Sequence, residues 1–299
     1  MVVPNGLSAF PVTPADADGV VDVAALRRLV ARLCAAGVDS IGLLGSTGSY
    51  PYLSRAERRR AIDAALAETG GRVPVLVGIG ALRTDETFAL AQDAKAAGAS
   101  AGLLAPVSYT PLTDDEVFEH FAAIAKSGLP LCVYDNFSTT HFTFRPALVG
   151  RLSAIDGVVA FKGTAPGGAE TQAHLAALRG VVPRGFSVGA SFDVNCTEAM
   201  IAGADVWYSV AGGLFPDRIR AITRAVAAGD HAEARRLDAA LSPLWDLFRD
   251  YSSLRVVYAC LGLLGLGQAE PPRPILPLGE AAREKIAATL VVLDLRKYS

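Results

Sequence analysis

The 299-residue sequence predicts an α/β fold, a (β/α)₈ barrel with a C-terminal helical appendix. Three observations carry that reading. Eight short apolar runs alternate with amphipathic stretches over the first 228 residues. The runs are nearly continuous in apolar residues, as in parallel strands buried on both faces. Beyond residue 228 the strand signal stops and only helical periodicity remains. An open doubly wound sheet is the competing architecture, but it normally carries a glycine-rich phosphate turn after its first strand. "LSAFPVTPADADG" offers none.

The units follow in order. "LSAFPVT" precedes a helix from about Asp22 to Ala36, and "SIGLLG" one that starts near Ser54. "VPVLVGIG" leads into a helix over about Asp85 to Ala97, and "SAGLLAP" into one over Asp114 to Lys126. "LPLCVYD" is followed by a short helix near Arg145 to Leu152, and "GVVAFK" by one over Gly168 to Leu178. "GFSVG" precedes a helix near Phe192 to Ala202, and "DVWYSV" one near Pro216 to Ala228. Residues 1–228 are thus expected to form the barrel and 229–299 a helical region. In that region the stretch from Asp230 to Gly267 reads as two helices and "LGEAAREKIAATLVVLDL" as a third, with Pro271, Pro272 and Pro274 breaking the chain between them.

Composition narrows the function. A net charge of -2 gives no electrostatic footprint for nucleic acid or an anionic membrane. The longest late apolar run, "VVYACLGLLGLG", is about half of what a membrane span needs. The N-terminus has neither a basic start nor a long apolar run, so a cytoplasmic protein is expected. Cys34, Cys132, Cys196 and Cys260 sit apart in apolar segments, which reads as reduced thiols rather than disulfides or a metal site. The four arginines of "RAERRRAIDAALAE" read as a solvated helix face.

One lysine stands out. The chain has Lys95, Lys126, Lys162, Lys285 and Lys297, and only Lys162 directly follows an apolar strand, "VVAF". In such a barrel the C-terminal strand ends carry the chemistry. An amine there, kept from water, can attack a carbonyl and form a Schiff base. The bland alternative is a strand-end lysine paired with a carboxylate. Tyr134 ends the fifth strand 28 residues earlier, one strand along, where its hydroxyl could move protons. Ser46 and Thr47 lie between Gly45 and Gly48 after the second strand, a turn suited to a carboxylate. Each of these alone has a structural explanation, a core tyrosine or an ordinary turn. Their convergence on the strand ends of one barrel favours a site.

At these residues the sequence resembles the dihydrodipicolinate synthase and N-acetylneuraminate lyase superfamily of class I pyruvate-handling aldolases. The resemblance runs over essentially the whole chain, through "FPVTPADADGVVD", "GSTGSYPYLSRAER", "YDN", "FKG", "GADVWYSV" and "LGLLGLGQAEPPRPILPL". It implies that Lys162 is the Schiff-base lysine and Tyr134 the proton relay. Ser46 and Thr47 would bind the 2-oxo acid carboxylate, and Gly189 and Val210 would be wall positions. It also implies a second tyrosine reaching in from a neighbouring subunit of a tetramer built from two dimers. "PVSYTPLTDDEVFEH" is one residue longer than usual there, so Ser108 fits counted forward from Pro106 and Tyr109 counted back from His120. Tyr109, which carries the phenol, is the choice.

Two departures bear on the substrate. Dihydrodipicolinate synthases place an arginine for the aldehyde's carboxylate where this chain has Thr139, and the glutamate that often follows the turn is Ser49. The leading expectation is therefore a lyase or aldolase joining pyruvate or another 2-oxo acid to an aldehyde. Thr139, with Phe137 and Thr140, would suit an uncharged partner. Dihydrodipicolinate synthase itself, a keto-deoxy sugar acid dehydratase or deaminase, and a non-catalytic ligand sensor on the same fold are the alternatives. No cofactor or metal is expected, because the protonated imine is itself the electron sink.

Overall fold

The computed structural model describes residues 4–295, so Lys297 lies outside the described residues. Eight parallel strands close in sequence order into a barrel, β1 next to β2 and so on round to β8 against β1. Strands and helices alternate as β1 (Gly6–Ala9), α1 (Val23–Ala36), β2 (Ser40–Leu43), α2 (Arg55–Thr69), β3 (Val75–Gly78), α3 (Thr84–Ala97), β4 (Ala101–Leu104), α4 (Asp114–Ala125) and β5 (Leu131–Tyr134). Next come the one-turn α5 (Phe137–Thr140), α6 (Pro146–Ser153), β6 (Val158–Thr164), α7 (Glu170–Arg179), β7 (Ser187–Ser191), α8 (Asp193–Ile201), β8 (Val206–Ser209) and α9 (Pro216–Ala227).

The helix starts have local causes. Asp22 caps α1 by accepting from the Ala25 amide, and Ser54 caps α2 by accepting from the Glu57 amide. At α4, Thr113 and Glu116 form a reciprocal capping box that satisfies two otherwise free amides. Gly37 closes α1 in the left-handed conformation that favours glycine.

Two departures from the sequence reading follow from local geometry. The stretch from His231 to Leu263 is three helices rather than two: α10 (His231–Ala240), α11 (Ser242–Tyr251) and α12 (Ser253–Leu263). The chain turns at Leu241–Ser242, and again at Ser252, whose φ of 71° no continuous helix allows. With α13 (Glu280–Val292) the appendix therefore has four helices among the described residues. Arg58 is the other departure. It is buried beneath α2, donates to the Gly80 carbonyl at 2.9 Å and sits 5.0 Å from the Tyr50 ring centroid. Arg55, Arg59 and Arg60 do lie on the outer face in ion pairs.

The apolar residues divide into two cores. The larger fills the space between strands and helices, and the smaller fills the barrel interior with Phe10, Leu76, Leu103, Cys132, Tyr134, Val206 and Tyr208. Small residues make room for large ones inside. A side chain at Gly42 would run into the Phe10 ring, and one at Gly189 into the Tyr208 ring. All four cysteines are free. Among the described residues no helix is long and apolar enough to cross a membrane.

Candidate active site

Lys162 lies on β6, which runs two residues further, through Gly163 and Thr164. It is inward-facing and buried, with 4% of its surface exposed. Its nitrogen is 3.9 Å from the ring centroids of both Phe10 and Tyr134 and 5.7 Å from that of Tyr208. Aromatic faces attract a cation, and this cage is built from β5, β8 and the residue just past β1. None of the ion pairs among the described residues involves Lys162. The carboxylate-paired lysine considered from the sequence is therefore not what the structure holds.

The register explains the meeting of Lys162 with Tyr134. Tyr134 on β5 pairs with Lys162 on β6, and Lys162 pairs with Gly189 on β7. Paired residues of parallel strands face the same way, so both side chains enter the barrel. Gly189 acts from behind: without a side chain it admits the Tyr208 ring that forms part of the lysine's surroundings. Burial pushes the Tyr208 phenol well above its ordinary range and the Cys132 thiol beside it up to about 11. Both are thus neutral at physiological pH.

Ser46 reaches the same place from the turn after β2, its Oγ 3.3 Å from the Tyr134 hydroxyl. Thr47 beside it is buried. Ser49, in the left-handed region at φ 54°, turns inward to bond the Tyr258 hydroxyl at 3.1 Å, which anchors this turn to α12. Tyr50 follows, buried, with its phenol pushed upward by burial first and by nearby Tyr134 second.

Val210 lies just past β8, half-buried, and its position is set by Asp193. The Asp193 carboxylate accepts from the Trp207 indole at 2.7 Å, the Ser209 hydroxyl at 2.6 Å, and the Val210 and Ala211 amides at 3.1 Å each. Burial raises its titration range, and these donors offset part of that. Four donors on one buried carboxylate fix the turn after β8.

Tyr109 is 97% exposed on the segment after β4. The neighbouring Ser108 hydroxyl is turned back onto the Thr110 carbonyl. Thr139, on α5, is exposed as well, and its hydroxyl donates to the Asn136 carbonyl at 3.2 Å. It is thus engaged by its own loop.

Asn136 is the residue that the sequence reading passed over. Its side-chain nitrogen donates to the Tyr134 hydroxyl at 2.9 Å and to Ser46 Oγ at 3.1 Å. The only signal for it was its place in "YDN", where an asparagine before a short helix reads as an ordinary loop residue. Asp193 gave no more notice, as an acidic residue in the first turn of a helix. Among the described residues, no group of three or more His, Cys, Asp or Glu side chains is placed to hold a metal ion.

This arrangement has one amine in a buried aromatic cage, a phenol against it and a hydroxyl-bearing turn alongside. Such a set can hold a small carbonyl compound, form an imine and move protons about it. Comparisons with known proteins point to one family. The profile of the Dihydrodipicolinate synthetase family matches residues 3–292. A 4-hydroxy-tetrahydrodipicolinate synthase from Methylococcus capsulatus is 33% identical over 276 residues, 92% of this chain and 93% of that one. One from Thiobacillus denitrificans is 34% identical over 283 residues, 93% of each chain. Among solved structures, a dihydrodipicolinate synthase from Agrobacterium tumefaciens superposes with a TM-score of 0.95 at 53% identity, covering 97% of this chain and 98% of that one. A chloride-inhibited dihydrodipicolinate synthase from Acinetobacter baumannii, solved with pyruvate, superposes with a TM-score of 0.89 at 29% identity, covering 97% and 99%.

Proposed function

The chain belongs to the dihydrodipicolinate synthetase family, and from that premise we propose that it is a class I lyase working through an imine between Lys162 and pyruvate or another 2-oxo acid. The observation that carries this reading is the cage: a buried lysine nitrogen 3.9 Å from the Tyr134 ring, with no carboxylate partner among the described residues.

Each residue has a role in the reaction. The Lys162 amine adds to C2 of the 2-oxo acid, and loss of the C2 oxygen as water leaves a protonated imine. Tyr134 supplies the proton that lets the water depart. The Tyr134 phenolate left by that transfer takes a C3 proton, giving an enamine whose C3 attacks the aldehyde carbon. Tyr134 returns the proton to the aldehyde oxygen, and hydrolysis frees the product and the lysine. Ser46 and Thr47, on the turn after β2, hold the carboxylate, while Gly189 and Val210 shape the wall. Tyr109 completes the site of a neighbouring subunit, which requires a homo-oligomer, for which the proposal is a dimer of dimers. Its exposure is what such a role demands.

The loop after β5 bears on the aldehyde partner. It offers Thr139 and no guanidinium at that position, and the Thr139 hydroxyl is already bonded within the loop. A bidentate arginine grips a carboxylate with fixed geometry, and a charge-assisted bond is worth about 1.5–3 kcal/mol against about 1 for a neutral one. The loss is on the order of tenfold in binding. An uncharged aldehyde therefore fits the loop better than aspartate semialdehyde does. The second reading, 4-hydroxy-tetrahydrodipicolinate synthase, is favoured by the activity named for the relatives. Steady-state kinetics with pyruvate and aspartate semialdehyde separate the two. A kcat/KM at or above about 10⁴ M⁻¹s⁻¹, the range of a dedicated enzyme, selects the second reading, and a much lower value selects the first.

A further inference from the structure

The loop after β5 is folded around Asn136. The Ser138 hydroxyl donates to its side-chain oxygen at 2.7 Å, and the Thr139 and Thr140 hydroxyls donate to its backbone carbonyl at 3.2 and 3.1 Å. Asparagine has one acceptor end and one donor end. With Ser138 on the oxygen, the nitrogen faces the site and gives one hydrogen to Tyr134 and the other to Ser46.

We propose that Asn136 is the positioning residue of this site, its amide nitrogen holding the Tyr134 and Ser46 hydroxyls together and turning the proton of each away from itself. Two consequences follow from hydrogen-bond direction alone. Each hydroxyl oxygen accepts from Asn136, so the proton of Tyr134 must be directed elsewhere, towards Ser46 Oγ at 3.3 Å or towards a carbonyl compound at Lys162. When Tyr134 gives that proton up, the oxygen left behind already faces an N–H donor. A donor set in place before charge develops lowers the barrier without reorganisation at the moment of reaction. Within this loop the Ser138 hydroxyl is engaged with the Asn136 side chain and the Thr139 and Thr140 hydroxyls with its backbone carbonyl, so each of the three already donates within the loop rather than to a substrate carboxylate.

This rests on the reading of Tyr134 and Ser46 given above, and its test is separable from the test of that reading. The variants are Asn136→Ala, which removes the amide, and Asn136→Asp, which keeps the shape and the bond from Ser138 but replaces the donor with an acceptor. The rate of imine formation with pyruvate is followed by quenching with borohydride, beside the affinity for pyruvate and the melting temperature. Asn136→Ala is expected to slow imine formation by ~10–100-fold and to weaken pyruvate binding by a smaller factor, through the loosened Ser46 hydroxyl, and Asn136→Asp to be no faster. Should Asn136→Ala fail to fold, Asn136→Asp decides alone. Wild-type rates in either variant, or equal losses of rate and affinity in Asn136→Ala, overturn the proposal. If the wild-type protein forms no imine at all, the reading of the function falls, and a crystal structure of Asn136→Ala then judges the proposal. Tyr134 and Ser46 hydroxyls parted beyond hydrogen-bond reach support it, and an unchanged pair overturns it.

Discussion

Tyr134 and Lys162 are register partners on β5 and β6, and the lysine nitrogen lies 3.9 Å from the centroid of the tyrosine ring. The tyrosine therefore does two separable things: its ring walls the cage, and its hydroxyl meets Ser46 and Asn136. Tyr134→Phe keeps the first and removes the second. Turnover is expected to fall by about a hundredfold or more, the scale of a positioned proton-transfer group, with the circular dichroism spectrum unchanged. A Tyr134→Phe enzyme as fast as wild type assigns the hydroxyl a structural role only.

Tyr109, almost wholly exposed in one chain, gives a prediction about assembly. If it completes the site of a neighbouring subunit, Tyr109→Ala and Lys162→Ala are each inactive alone, yet a hybrid oligomer of the two holds sites with both residues intact. Dissociating and reassembling a mixture should restore a fraction of wild-type turnover. No recovery in hybrids shown to have formed removes Tyr109 from the site.

Asp135 neighbours Tyr134 in the chain, and its amide donates to the Lys162 carbonyl at 2.9 Å. Burial pushes its carboxyl up to about 6, only partly offset by the bond from the Phe144 amide. A carboxyl that titrates higher in the folded than in the unfolded chain holds its proton better when folded. The stability this adds is present below about pH 4 and is lost as the pH rises through about 6. Asp135→Asn keeps an acceptor for Phe144 and carries no charge. Its melting temperature, relative to wild type, should therefore rise between pH 4.5 and pH 7.5. A constant difference across that range would show that Asp135 ionises in the fold at no cost.

The alternation of apolar runs and amphipathic helices was enough to read all eight strands and their covering helices, because strands buried on both faces leave no polar interruption. Lys162 and Tyr134 were legible for the same reason, each being a polar group that ends or follows such a run. What the pattern left hidden depends on meetings between distant segments. Phe10 and Tyr208 look like any core aromatics until the barrel closes β1 against β8 and brings their rings together at 6.0 Å beside the lysine. Arg58 shares a helix and a run of arginines with three solvated ones, and only the position of the Gly80 carbonyl draws it inside. Asn136 needs the turn after β2 opposite it before its amide means anything. The break at Ser252 is a single backbone dihedral, which helical periodicity does not record.

The account as a whole stands on the covalent step at Lys162. Wild-type protein incubated with pyruvate, and in parallel with longer 2-oxo acids, is reduced with borohydride, digested and mapped by peptide mass spectrometry. At least one of these acids is expected to leave a stable adduct on Lys162, and Lys162→Ala should leave none. An adduct confined to another lysine, or no adduct with any 2-oxo acid tested, would contradict the account.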